Sequence, residues 1–240
     1  MEHSGHTGTA PVRMQEIPSG NMRLEGELNV PVRAKGVVLF AHGSGSSRHN
    51  PRNQFVARTI REAGVGTLLF DLLTPGEEAM DMSTGHLRFD IGLLAKRLID
   101  ATNWIKSKTD TRYLRVGYFG SSTGGGAALV AAAEVGEEIG AVVSRGGRPD
   151  LAGDALPQVK SPTLLIVGEL DLPVIRMNEE ALSQLRCEKE LTIVPGASHL
   201  FEEPGTLEQV ARLAARWCRL KLHSAARASG SARLTLKRLI

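Results

Sequence analysis

A serine hydroxyl, a carboxylate and an imidazole can together open a carboxylic ester by nucleophilic attack. Three residues of this sequence have the types and the chain order for that chemistry: Ser122, Asp171 and His199. Ser122 sits in Gly120-Ser121-Ser122-Thr123-Gly124. An ordinary hydroxyl is a poor nucleophile, so it must be exposed on a sharp turn and given a neighbouring base. Small residues two places before and two after it let the chain segments around such a turn pack closely. In a chain rich in glycine and serine the five-residue pattern alone is weak. Its setting strengthens it, because it falls between the apolar run 114–119 and the alanine-rich stretch 127–135. A phosphate-cradling turn is the rival reading. The segment, however, has neither the Gly-Lys-Ser/Thr ending of a P-loop nor the G-x-G-x-x-G of a dinucleotide site.

The acid and the base belong after later strands. Asp171 lies in Gly168-Glu169-Leu170-Asp171-Leu172-Pro173, with Glu169 its close competitor, and either could orient an imidazole. His199 lies in Pro195-Gly196-Ala197-Ser198-His199, ahead of the final helix, where no other histidine falls. Two backbone N–H groups must hold the developing oxyanion. Thr123, directly after the nucleophile, supplies one, and Ser44 in the His42-Gly43-Ser44 loop supplies the other. His42 is read as shaping that loop, and Ser46, Ser47 and Arg48 as a solvated turn. Arg145 follows a strand and is a candidate substrate-binding residue that could hold a carboxylate through a bidentate contact, against the plainer reading of a surface or salt-bridged arginine.

These positions need a frame. Apolar strands are expected at 36–40, 67–70, 114–119, 141–143, 163–167 and 191–194, with a weaker one at 26–30. Helical spacing marks 55–63, stopped by Gly64, then 90–106, 127–135, 179–186 and 207–220. Short, nearly all-apolar strands alternating with helices describe a parallel sheet covered on both faces. Right-handed crossovers put the strand C-termini along one edge, where ligands bind. Ser122, Asp171 and His199 each follow a different strand at that edge.

The bulk properties narrow the function further. A chain of 240 residues with 42% hydrophobic content is expected to form one domain over 1–222, with a basic tail over 223–240 that carries Arg227, Arg233, Lys237 and Arg238 in a solvated, Ser/Ala-rich stretch. The net charge of +3 is spread along the chain and aromatics are only 4%, so no nucleic-acid partner is expected. The polar start of the chain and the lack of a long apolar run predict a cytoplasmic protein without a membrane partner. Cys187 and Cys218 form neither a disulfide framework nor a zinc site. No metal or organic cofactor is required, and the oligomeric state is left open, a homodimer included.

On these residues the sequence resembles the α/β-hydrolases, and within them the compact, lidless dienelactone-hydrolase-like branch. The resemblance runs from His42-Gly43-Ser44-Gly45 through Gly120 to Gly124, Asp171 and His199-Leu200-Phe201-Glu202. It implies an α/β-hydrolase fold: an eight-stranded, mostly parallel sheet with the second strand antiparallel, helices on both faces and no cap domain. True dienelactone hydrolases carry cysteine at the elbow. Ser122 therefore shifts the expectation to a short-chain carboxylesterase acting on small esters or lactones through an open, shallow site. A lactonase for carboxylate-bearing substrates is the alternative. The sequence also looks like hydrolase domains fused to a phosphoribosyltransferase, and a non-catalytic companion of such an enzyme is a further alternative. Epoxide and haloalkane hydrolysis want a carboxylate where Ser122 stands.

Overall fold

The computed structural model describes residues 13–223 and, for the backbone alone, 234–238. Arg227 and Arg233 of the basic tail lie outside the described residues.

The apolar runs form strands because their residues are buried on both sides of a sheet. In β3 (Gly36–Ala41), β4 (Gly66–Phe70), β6 (Ile139–Arg145) and β7 (Thr163–Gly168) every residue is buried. With β1 (Arg13–Ser19), β2 (Met22–Asn29), β5 (Arg115–Ser121) and β8 (Lys189–Val194) they make the eight strands expected of an α/β-hydrolase. The order is β1-β2-β4-β3-β5-β6-β7-β8. β2 runs antiparallel to both neighbours, and the pairs from β4 to β8 are parallel. Chain order reverses around β3, so a crevice opens at the C-terminal ends of β3 and β5, where ligands bind in open sheets.

Helices cover both faces. α1 (Pro51–Glu62) and α6 (Thr206–His223) lie on one, over Val38, Phe40, Phe119, Val143 and Ile166. α3 (Ile91–Ser107), α4 (Thr123–Val135) and α5 (Leu172–Gln184) lie on the other, over Leu39, Leu68, Tyr118, Val142 and Leu165. The link from β6 to β7 is a 3₁₀ segment over Pro149–Gln158, too short for a cap domain.

Several elements depart from the sequence-based expectation. β1 went unread because its edge position leaves most of it exposed, with only Ile17 and Ser19 buried. α4 begins at Thr123 and not near residue 127, because three consecutive glycines hide a helical turn that needs them. α5 begins at Leu172 with Pro173 in its first turn, where a missing N–H costs nothing. Within the tail, β9 (Leu234–Arg238), which includes Lys237 and Arg238, pairs in parallel with β8 and extends the sheet to nine strands. The β8 edge would otherwise present unpaired backbone groups, and pairing satisfies them.

A second unread element is α2 (Pro75–Thr84), between β4 and α3. The Thr74 side chain accepts from the Glu77 amide at 3.3 Å, and the Glu77 carboxylate accepts from the Thr74 amide at 2.8 Å, a reciprocal cap with Pro75 at the first helical position. Thr74→Ala is expected to cost about 1 kcal/mol, read as a shift of the urea midpoint.

Cys187 and Cys218 are both buried and unbridged. Burial pushes the Cys187 thiol up and the Cys218 thiol up to about 12. Neither should react with a thiol reagent such as dithionitrobenzoate in the native protein, and both should react on unfolding, because the thiolate is the attacking species.

Candidate functional site

The Gly120 to Gly124 turn is built by close backbone approach. A Cβ on Gly120 would lie 2.3 Å from the Gly124 carbonyl oxygen, and one on Gly124 would lie 2.1 Å from the Ala41 carbonyl oxygen. Between them Ser122 is held at φ 52° and ψ −123°, a conformation that side-chain-bearing residues rarely adopt. Local bonds hold it there: its amide donates to Arg145 O at 3.3 Å, and its carbonyl accepts from Gly125 N at 2.9 Å and Arg148 N at 3.0 Å. The turn therefore lifts the serine side chain off the end of β5 at the start of α4.

Asp171 and His199 come together from separate strand ends. Asp171 Oδ2 and His199 Nδ1 are 2.6 Å apart, with the carboxylate side chain 12% exposed and the imidazole 40%. That bond leaves Nε2 of His199 free to take a proton. The imidazole lies over Gly146, where a Cβ would approach its ring to 3.5 Å. His199 and Ser122 thus flank the same Arg145–Gly146 peptide, whose carbonyl receives the Ser122 amide. Among the described residues no hydrogen bond joins Ser122 Oγ to His199. Such contacts tighten only when substrate binds in many hydrolases.

Glu169 has another task. Its carboxylate accepts from the Gly196 amide at 2.8 Å, which ties the end of β7 to the turn ahead of His199. On the far side of His199, Glu203 accepts from the Ser198 amide at 3.0 Å, and that bond holds its carboxyl below the usual range. Phe201, buried and at φ 56°, closes the same loop.

The loop after β3 lies against the nucleophile, since a Cβ on Gly43 would meet Ser122 Cβ at 3.0 Å. His42 shapes this loop: its Nδ1 lies 3.1 Å from Gly43 O and its Nε2 accepts from the Leu72 amide at 3.0 Å. Burial holds its pKa below the ordinary value, which favours the neutral ring. The Ser44 amide donates to Thr123 Oγ1 at 3.1 Å, so the two residues expected to hold an oxyanion are direct neighbours. Arg48 is not a free solvated side chain, since it is bound to Asp71 and to Glu25.

Beside Ser44 and Thr123 opens a cavity of about 530 Å³, within the range that holds a small organic ligand. It is lined by the 42–47 loop, Leu72, Leu73, Leu94 and, from α2 and the turn after it, Glu78, Asp81, Met82 and Arg88. The open, shallow site expected thus has a cavity at its side, with none of Ser122, Asp171 and His199 among the residues that line it. α2 supplies the missing wall, and its Thr-Pro-Gly-Glu start was the available signal. Arg145 does not line this cavity. It is 8% exposed, on the sheet face covered by α1 and α6, and its Nη1 has no hydrogen-bond partner among the described residues. Burial, with Arg52 nearby, lowers its pKa to about 10. The described residues contain no group of three or more His, Cys, Asp or Glu able to hold a metal ion, and no helix long and apolar enough to cross a membrane.

Comparison with known proteins agrees with this architecture. The dienelactone hydrolase from Anabaena variabilis is 60% identical, with 90% of this chain and all of that one covered and a TM-score of 0.89. The esterase Est1E from Butyrivibrio proteoclasticus shares the fold at 16% identity, over 88% of this chain and 99% of its own, with a TM-score of 0.72. A putative phosphoribosyl transferase of Mycobacterium tuberculosis is 56% identical over 209 residues, which are 86% of this chain and 46% of that protein. The chain thus spans about half the length of the curated relatives it matches. The model of the dienelactone hydrolase family matches residues 25–222, from β2 to the last turn of α6, and the chain belongs to that family.

Proposed function

We propose that this protein is a serine carboxylesterase, cleaving small carboxylic esters or lactones through Ser122, His199 and Asp171. The observation that carries the reading is the 2.6 Å contact between Asp171 and His199 beside a serine held on a strained turn. Asp171 fixes the imidazole so that Nε2 faces the serine and stabilises the ring once it is charged. His199 takes the Ser122 proton as Oγ attacks the carbonyl carbon. The carbonyl oxygen becomes an oxyanion held by the Thr123 amide and by the Ser44 amide, which turns to it from Thr123 Oγ1. His199 then protonates the departing alcohol and the acyl group stays on Ser122; water attacks the acyl-enzyme with His199 again as base, the Oγ–acyl bond breaks, the carboxylic acid leaves and the proton passes from His199 back to Oγ. These residues need no metal or organic cofactor for any of these steps.

A fluorophosphonate probe tests this directly, because the Oγ of an activated serine displaces its fluoride and becomes phosphonylated, while ordinary hydroxyls of the chain do not react. Labelling of one site, mapped to Ser122 by peptide mass and lost in His199→Ala, is the expected result. No labelling at any pH would favour the second reading, a non-catalytic companion of a phosphoribosyltransferase. That reading rests on the name of the Mycobacterium tuberculosis relatives and the half of their length this chain spans.

A further inference from the structure

The cavity beside Ser44 and Thr123 has an apolar floor of Leu72, Leu73 and Leu94, with the exposed Met82 at its rim, and the charges on its α2 wall are unequal in their partners. Asp81 is buried and fully occupied: it binds Arg88 Nε and accepts from the Leu87 and Arg88 amides, while its carbonyl accepts from Arg88 Nη2 at 2.8 Å. Arg88 also borders the cavity, and a Cβ on Gly45 would stand 4.0 Å from its Nη1, but its charge is balanced by Asp81. Glu78 is different. Its carboxylate, exposed at the cavity rim, forms no hydrogen bond or ion pair with any described residue; the Arg48 and Arg88 guanidiniums lie near enough to attract it, but Arg48 is bound to Asp71 and Glu25, and Arg88 to Asp81. Ser46, also lining the cavity, has an enclosed Oγ with no partner. The cavity rim therefore carries one carboxylate outside any direct ion pair, beside an apolar floor and an unused hydroxyl.

The geometry also assigns which half of an ester enters. His199 must protonate the departing alcohol, so the alcohol leaves on the His199 side. The cavity begins instead at Ser44 and Thr123, and none of Ser122, Asp171 and His199 is among its lining residues. With the ester carbonyl oxygen held by Ser44 and Thr123, the acyl group is the half that faces the cavity.

We infer that Glu78 is a specificity-determining residue, and that the cavity selects acyl groups with an apolar stem and a cationic, ammonium-type end over those ending in a carboxylate. The inference rests on the esterase reading for the identity of the acyl half. An exposed carboxylate at a cavity rim attracts a cation and repels an anion by the same physics, with a modest strength that salt reduces. Met82 adds a polarizable surface against which a bulky ammonium packs.

The test compares p-nitrophenyl esters of hexanoic acid, 6-(trimethylammonio)hexanoic acid and adipic acid (the monoester), each as kcat/KM relative to hexanoate within the same protein. The wild type should favour the trimethylammonio ester over the adipate by about five-fold or more at low salt, and Glu78→Gln should bring the two ratios together. High salt should shrink the wild-type preference. Equal ratios in wild type and Glu78→Gln, or a wild-type preference for adipate, would overturn the inference. Turnover of the hexanoate ester would still leave the esterase reading standing. Calorimetric binding of 6-(trimethylammonio)hexanoate against adipate to Ser122→Ala decides the point without turnover: tighter binding of the cation, lost on adding Glu78→Gln, supports it, and equal binding rejects it.

Discussion

Ser122→Ala is expected to lower kcat on p-nitrophenyl acetate by about 10⁶-fold, with KM little changed. The substitution removes one oxygen and leaves the rest of the site in place. Asp171 still holds His199 at Nδ1, and Ser44 and Thr123, the proposed oxyanion donors, remain direct neighbours. What is lost is the atom that forms the acyl-enzyme, so the residual rate is that of water attacking a bound and polarised ester. The strained backbone at position 122 is a property of the turn, held by Arg145 O, Gly125 N and Arg148 N, so the variant should fold. Steady-state rates with matched circular dichroism measure this. Turnover within ten-fold of wild type would remove Ser122 from its assigned role.

Gly124→Ala is expected to be the most destabilising single methyl the chain can receive near the site, at about 4 kcal/mol or more. The new Cβ would stand 2.1 Å from Ala41 O and 2.7 Å from His42 O, both backbone atoms at the end of β3. No rotamer relieves a clash with backbone, so α4 would have to move away from the sheet. The nine buried residues of its first ten positions would then lose their packing. Gly76→Ala is the control. It lies in α2 with open space around its Cβ position, and it should be neutral or stabilising by about 0.5–1 kcal/mol. Urea unfolding of both variants measures the contrast. A Gly124→Ala midpoint equal to wild type would show that the close approach of β3 and α4 is not rigid.

Much of this was legible in the residues because it depends on short-range pattern. Apolar runs that bury on both sides can only be inner strands of a covered sheet, and the sheet found is mostly parallel with β2 reversed. The order serine, acid, histidine, each after its own strand, was likewise readable before any coordinates. Where pattern was weak, the expectation was wrong in a consistent way. β1 is polar because it is an edge, and the first turn of α4 is glycine because β3 and β6 leave no room for side chains there. α2 carries only one buried residue, Asp81, so no hydrophobic period announces it. Read alone, the tail's Leu-Thr-Leu alternation over residues 234–236 carried no weight, and it became a strand only because β8 offered an edge to pair with.

By itself the sequence determined the class of fold and which residues stand at the strand ends, because hydrophobic period and turn-forming residues act over a few positions of chain. Only the tertiary structure decided what those residues meet. Asp171 rather than Glu169 reaches His199, because Glu169 is spent on the Gly196 amide. Arg145 is drawn under the α1 and α6 face, away from the cavity, because the strand alternation at the end of β6 puts it on the side of Val143. Glu78, silent in the sequence, reaches the cavity because a capped helix folds back between β4 and α3. Contacts between distant segments depend on how layers pack in three dimensions, and no local run of residues encodes them.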